Sequence, residues 1–511
     1  MSKRSIIRKR TVCFFACAAL LLVGVLLAWI LWPRAAAQTR AQAYRDGLDT
    51  YRYDLVFRPE QSTLAVTLTL DYTNRTGDKL QELVLRTWAG AYADEETSPA
   101  AIEEVYDACY PNGFSPGGIR LEGVWWNDQV VQASFADAAQ TVLHVPVGSL
   151  APGVSGRLLL RCELTVPRCA HRFGTDGAVW QFGNALPILS VWENGAWRED
   201  AYCAVGDPFV SDCSNYEVTL VAPAGYVCAA SAKPSVKTMA DGRMRYTMQG
   251  DAMRDFAFAL SASWQTAQKS VNGVTVTAYA GDQKAAGRAA GYAAEALKTY
   301  ARLYGAYAYD QLTVCEVDFP LGGMEYPGLI FIGRDWMAES QADSLELMLA
   351  HETAHQWFYA LVGSDQVTDA WQDEALCEYA MLRYAREKYG ANAYENLRIL
   401  RVDAPMREKI NQTVTPGSPI SYFGSLQTYA TVVYGRGAAL PLANAEKRGG
   451  GSLPLALDEM TGGQMDKLLR EYCDAFAFKR ASRADFEQFF TDRSGLDITP
   501  LMRDYLDTYG Y

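Results

Sequence analysis

Apolar and polar residues alternate with period two in short runs between about Tyr51 and Ser263. Leu64-Ala-Val-Thr-Leu-Thr-Leu70, Tyr216-Glu-Val-Thr-Leu-Val221 and Phe256-Ala-Phe-Ala-Leu260 each put every second side chain on one face, as a half-buried strand does. Turn formers separate such runs at Asn74-Arg-Thr-Gly77, Pro111-Asn-Gly113, Pro116-Gly-Gly118 and Ala151-Pro-Gly153. The pattern predicts an all-β sandwich or saddle domain over residues 45–265. Beyond Gln268 the period changes. Ala285 to Tyr304 is alanine-rich with apolar residues at helical spacing, and Gly305 can end that helix. Leu312-Thr-Val-Cys-Glu-Val317 and Leu329-Ile-Phe-Ile332 read as strands on either side of Pro320-Leu-Gly-Gly-Met-Glu-Tyr-Pro-Gly328. Helical patterns dominate from Ser344 onward, with a loop at Gly449-Gly-Gly451 and an amphipathic stretch from Met465 to Leu506. Residues 266–511 are therefore expected to form one mixed α and β domain with a helical final part.

One run fits neither period. Thr11 to Trp32 holds 22 residues without a charge. At about 1.5 Å per helical residue that crosses a hydrocarbon core of roughly 30 Å. Lys3, Arg4, Arg8, Lys9 and Arg10 precede it, no acid does, and Trp29 and Trp32 lie at its far end. Residues 1–37 thus read as a basic cytoplasmic tail and a single-pass transmembrane anchor, with everything that follows outside the cytoplasm. Ala35-Ala36-Ala37 leaves a cleaved signal peptide as the alternative, although its apolar region is usually shorter, about 7–15 residues.

Composition narrows the partners. The chain of 511 residues has 47 Lys plus Arg against 59 Asp plus Glu, a net charge of −12, and its basic tail leaves the remainder more acidic still. Such a surface repels phosphate backbones, so no nucleic acid is expected as a partner. With 49% hydrophobic residues there is ample material for packed cores, which excludes a disordered or fibrous chain. Cys13 and Cys17 lie in the anchor, and the other nine of the 11 cysteines cannot all pair. Most read as small buried hydrophobes. Cys203–Cys213 and Cys162–Cys169 stay open as disulfides, since spacing decides neither.

Two of only four histidines form His351-Glu352-Thr-Ala-His355. Asp343, with Glu346 three positions on, can cap a helix that runs through this motif to Gly363. Residues four apart share a helix face about 6 Å apart along the axis, so both imidazoles can reach one ion. Catalytic zinc takes three protein ligands and keeps a position for water, and Glu352, beside the first histidine, is placed to take that water's proton. Core hydrogen bonds to two histidines are the lesser alternative, and a third ligand separates the readings. Glu374, on a helix opening after Asp369 in Trp371-Gln-Asp-Glu-Ala-Leu-Cys-Glu378, supplies it. Glu378, one turn further, can hold the outer nitrogen of a zinc-bound histidine.

H-E-x-x-H, an 18-residue gap and Glu374 resemble the aminopeptidase N family of zinc metallopeptidases, the gluzincin type. Gly322-Gly-Met-Glu-Tyr326 resembles the family's G-x-M-E-N substrate loop, Trp371-Gln-Asp-Glu-Ala-Leu its W-L-N-E-G-F signature, and Val433-Tyr-Gly-Arg-Gly-Ala438 its V-Y-x-K-G-A segment. The resemblance implies a thermolysin-like catalytic domain binding one Zn²⁺ through His351, His355 and Glu374, with Glu352 as general base. It further implies that Tyr434 stabilises the oxyanion. Glu325 would hold the substrate's α-amine, and the Gly322-Gly323-Met324 backbone would pair with the peptide as an added strand. Tyr326 stands where the family has Asn, Asp373 and Ala375 replace Asn and Gly, and Arg436 replaces Lys. Larger members carry a long helical carboxy-terminal domain over the cleft. Without it the site is expected to be more open, or covered by a partner such as a membrane protein.

The expectation is a membrane-anchored zinc metallopeptidase that removes amino-terminal residues from peptides. An endopeptidase or processing enzyme with an open cleft is the nearest alternative. A non-catalytic peptide-binding subunit of a membrane complex is the alternative from another class.

Overall fold

A computed structural model describes residues 38–407, 413–436 and 453–507. The anchor predicted between Thr11 and Trp32, the triple-glycine loop, and Gly437-Ala438 lie outside the described residues. Among the described residues no helix is long and apolar enough to cross a membrane.

The alternating runs fold as sheets. Thr50–Arg58 and Thr63–Thr73 pair antiparallel at the centre of an eight-stranded sheet, with Tyr53 opposite Leu68 and Leu55 opposite Val66. Tyr51, Tyr53, Leu55, Phe57, Leu68 and Leu70 all face inward and are buried, which is the period-two face expected from the sequence. Thr50–Arg58 pairs in parallel with Ser214–Ala222 on its other side. Two four-stranded sheets and a two-stranded ribbon, Trp192–Glu193 with Ala196–Trp197, complete the β-rich part; one four-stranded sheet contains Val179–Phe182 between Phe258–Ser261 and Phe173–Thr175. Of the cysteines outside the anchor, all nine are free, so neither of the two disulfides left open by spacing forms.

A five-stranded sheet follows. Strands β1 (Gln265–Val271) and β2 (Val274–Ala280) lead into helix α1 (Gln283–Tyr304), and strands β3 (Gln311–Val317), β4 (Gly323–Tyr326) and β5 (Leu329–Gly333) follow it. The spatial order is β1-β2-β3-β5-β4, so β4 is an edge strand. Asp282 caps α1 by accepting from the backbone of Lys284 and Ala285, and Gly305 ends it with a φ of 102°. Buried alanines along α1 allow close packing against helix α2 (Ala342–Ala354), and the Tyr300 hydroxyl donates to the Ala350 carbonyl at 2.9 Å. Helix α3 (Trp371–Tyr389) returns beside α2.

Two local expectations need correction. Asp343 does not cap α2: the cap position is Gln341, without a side-chain bond. Glu346 instead accepts from Tyr384 at 2.6 Å, Lys388 at 2.5 Å and Tyr389 at 2.8 Å, so these contacts to α3 replace a local capping box. Regular α-helix also stops at Ala354 rather than near Gly363, and the chain descends through irregular turns. Arg254 secures those turns, donating to the carbonyls of Tyr359 at 2.6 Å, Ser211 at 3.1 Å and Lys479 at 2.6 Å.

Candidate active site

The last turn of α2 and the first turn of α3 bring His351, His355 and Glu374 together. His351 Nε2 lies 3.0 Å from His355 Nε2 and 3.2 Å from Glu374 Oε2, and His355 Nε2 lies 3.6 Å from that same oxygen. The outer nitrogens face other carboxylates. His355 Nδ1 is 2.5 Å from Asp373 Oδ1, and His351 Nδ1 is 3.2 Å from Glu378 Oε1. With the His355 Nδ1 proton donated to Asp373 and His351 Nδ1 turned toward Glu378, both Nε2 lone pairs converge with one carboxylate oxygen. Donors about 2.1 Å from a tetrahedral ion stand about 3.4 Å apart, so this set fits zinc in both chemistry and spacing.

The outer carboxylates are themselves held. Gln366 Nε2 donates to Asp373 Oδ2 at 2.5 Å, while Arg401 grips Glu378 with Nε at 3.0 Å and Nη2 at 2.5 Å. Arg401 and His351 outweigh the cost of burial and hold Glu378 down at about 2. For His351 burial favours the neutral ring, but Glu374 and Glu378 overcome it and raise the imidazole to about 9. The surroundings favour positive charge at the convergence point, as a cation site must.

Glu352 is buried beside this cluster, and its Oε2 lacks a hydrogen-bond partner. Burial, offset in part by the two histidines, lifts its carboxyl to about 7. The substrate-loop backbone crosses directly over it: a Cβ on Gly323 would lie 2.3 Å from Glu352 Oε1. Glycine there is a steric requirement. Gly322 turns with a φ of 112°, and Met324 and Glu325 follow in edge strand β4. Glu325 Oε1 is 3.9 Å from His355 Nδ1 and is buried without a hydrogen-bond partner. Tyr434 reaches in from a short π-helical segment, Ala430–Arg436, and donates its hydroxyl to Glu374 Oε1 at 2.6 Å.

Four contributors carry no motif in the sequence. Gln356, just past the second histidine, donates to the Tyr326 carbonyl at 3.0 Å and accepts from the Gly328 backbone at 2.9 Å, tying β4 to the metal helix. Arg401 and the Arg172–Asp207 pair come from distant segments. Asp207 belongs to the β-rich part, and its carboxylate stands within 4.8 Å of those of Glu325 and Glu374.

Residues 288–505 match the model of the peptidase family M1 domain. The part of the chain that carries the candidate metal set is thus similar to a peptidase family M1 domain. It is 27% identical over 226 residues to aminopeptidase B of Mus musculus, a match covering 40% of this chain and 32% of that protein. Leukotriene A-4 hydrolase of Xenopus laevis is 28% identical over 197 residues, covering 38% of this chain and 31% of that protein. The matched region is thus about a third of these curated relatives' length. Among solved structures, an M1 zinc metallopeptidase from Deinococcus radiodurans superimposes with a TM-score of 0.63 at 17% identity, covering 90% of this chain and 93% of that one. The M1 fold therefore includes the β-rich part as well as the helical one.

Proposed function

We propose that the chain is a zinc metallopeptidase that removes residues one at a time from the amino termini of peptides. The observation that carries this reading is the convergence of His351, His355 and Glu374 around one point, with Glu352 and Tyr434 on its rim. Aminopeptidase activity is named for several relatives, among them aminopeptidase B and glutamyl aminopeptidase. A Deinococcus radiodurans relative was crystallised with a Tyr-Ser-Ala substrate.

Zinc, when bound by these three residues, supplies a Lewis acid that acidifies water and polarises the scissile carbonyl. Glu352 takes the proton of the attacking water and returns it to the leaving amine. Burial holds the Tyr434 phenol well above its ordinary range, so it stays protonated and can donate to the developing oxyanion. Such a donor is worth roughly 3–4 kcal/mol. Gly322 and Gly323 lie at the start of an edge strand to which an extended peptide can add by backbone pairing. Glu325 closes the amino-terminal end of that register and accepts the substrate's ammonium group. The uncharged run from Thr11 to Trp32, behind five basic residues, supports a single-pass anchor with the catalytic part outside the cytoplasm.

Amino-terminal acetylation tests the specificity. Zinc-loaded protein is expected to shorten a free peptide stepwise, read by mass, and to leave its acetylated twin intact. Internal cleavage of both would make the protein an endopeptidase with the same chemistry.

A further inference from the structure

We propose that Arg401 reads the carboxy-terminal carboxylate of short peptides, which makes tri- and tetrapeptides with a free carboxylate the favoured substrates of the site. The proposal rests on the aminopeptidase reading above and names a substrate class for it.

Arg401 is held at one edge only. Its Nε and Nη2 donate to Glu378 at 3.0 and 2.5 Å, and the Glu378 side chain is only 2% exposed. The Arg401 side chain is 44% exposed, and Nη1 bonds no group among the described residues. A guanidinium carries five N–H donors in a planar fork, so the edge formed by Nη1 and the outer Nη2 hydrogen is left for a second, bidentate carboxylate. Asp403, the next acid along the chain, does not take that edge, because Arg398 donates to it at 2.8 Å. Glu378 also faces His351 Nδ1 at 3.2 Å, so its charge is shared between two partners rather than given to Arg401 alone. The grip of Glu378 keeps the guanidinium from swinging away, and the open edge is pre-organised.

Arg401 stands on one flank of the metal set. Two π-helical segments, Ile399–Asp403 and Ala430–Arg436, carry Arg401 and Tyr434 and pack together: a Cβ on Gly435 would meet Pro405 at 2.5 Å and the Arg401 carbonyl at 3.6 Å. Turns of this kind are rare and gather at functional sites. The Tyr434 ring stacks on His351 at 5.7 Å, the same imidazole that Glu378 faces from outside. Arg401 and Tyr434 thus border His351, whereas Glu325 stands beside the outer nitrogen of His355. A peptide with its ammonium at Glu325 and its scissile carbonyl beside Tyr434 sends its remaining residues toward the His351 side. From the metal point through His351 and Glu378 to the guanidinium is at most about 10 Å, the length of about three extended residues. One residue before the scissile bond and two or three after it make a tri- or tetrapeptide. A longer peptide carries its carboxylate past Arg401.

The test uses zinc-loaded full-length protein with the tetrapeptide Leu-Ala-Gly-Ser and the octapeptide Leu-Ala-Gly-Ser-Ala-Gly-Ser-Ala, each as free acid and as carboxy-terminal amide. The readout is the acid-to-amide ratio of kcat/KM for release of the first residue. Wild type is expected to favour the tetrapeptide acid by roughly 10- to 100-fold, the worth of one charge-assisted bidentate contact, and to treat the two octapeptides alike. Arg401→Gln is expected to remove the tetrapeptide preference, and Arg401→Lys to keep part of it. Any weakening of the metal set by either variant slows acid and amide alike, so the ratio isolates the carboxylate contact. If Arg401→Gln does not fold, the length dependence of the ratio in wild type decides. A wild-type ratio near one for the tetrapeptides, an undiminished ratio in folded Arg401→Gln, or an equal preference in the octapeptides would overturn the role of Arg401 while leaving the aminopeptidase reading intact. Failure to release the first residue from any of the four peptides would overturn that reading itself, and this proposal with it.

Discussion

The hydroxyl of Tyr326 occupies the space that a side chain at residue 183 would need: a Cβ on Gly183 would lie 1.9 Å from that oxygen. The same hydroxyl donates to Asn184 Oδ1 at 3.1 Å, and the ring is fully buried between the β-rich part and β5. Tyr326 departs from the Asn of the family's substrate loop, yet its side chain points away from the site. Glu325, its neighbour in an alternating strand, faces the histidines. The departure is accommodated by glycine in a strand-end turn far away in sequence, and Glu325 keeps its place.

Gly183→Ala is therefore expected to destabilise the protein by about 1–3 kcal/mol through overpacking and to lower peptide turnover by displacing β4. Thermal unfolding and kcat/KM, measured on the same preparation, check it. A variant with an unchanged midpoint would show that the contact is easily relaxed.

Glu378 lies 3.2 Å from His351 Nδ1 and is itself held by Arg401, so both are placed to tune the candidate metal site. Glu378→Gln is expected to lower zinc affinity by roughly 10- to 100-fold, measured by chelator competition. Glu395→Gln, which alters only an exposed pair with Arg398, should leave it unchanged.

Asp255 sets a pH dependence of stability. Burial raises its carboxyl to about 7, against partial compensation from the Tyr359 hydroxyl, which donates to Oδ2 at 2.9 Å. Between about pH 4 and 7 the folded chain holds a proton at Asp255 that the unfolded chain has released, so stability falls as pH rises through that window. Above about 7 the contribution is constant. The loss is up to about 4 kcal/mol. Asp255→Asn, which resembles the protonated acid, is expected to flatten this slope in denaturant titrations at pH 5 and pH 8. An identical slope in both proteins would assign the pH dependence to other groups.

The convergence of His351, His355 and Glu374 was legible because its geometry is local. Two histidines four apart share a helix face whatever surrounds them, and Glu374 needs only a turn and a second helix to return. Strands β3 and β5 and helix α1 were legible for similar reasons, through period and through Gly305, whereas β1, β2 and β4 of the same sheet were not. What the chain order hides is what long-range packing decides. Asp207 and Arg172 reach the site from loops of the β-rich part, and nothing near Asp207 but Gly206 hints at a constrained turn. The capping box at Asp343 failed because Glu346 found three partners on α3, which a local pattern does not reveal. Gln356 was visible as a residue but not as a tie, since its partners sit on β4 and the turn after it.

In the proposed mechanism His351, His355 and Glu374 hold zinc and Glu352 moves the proton. Metal content and peptide turnover, measured together on wild type and Glu352→Gln, test it most directly. The expected result is one zinc per chain in both proteins, with turnover in the variant lower by roughly a hundred- to ten-thousand-fold. Wild-type turnover by zinc-loaded Glu352→Gln would contradict it.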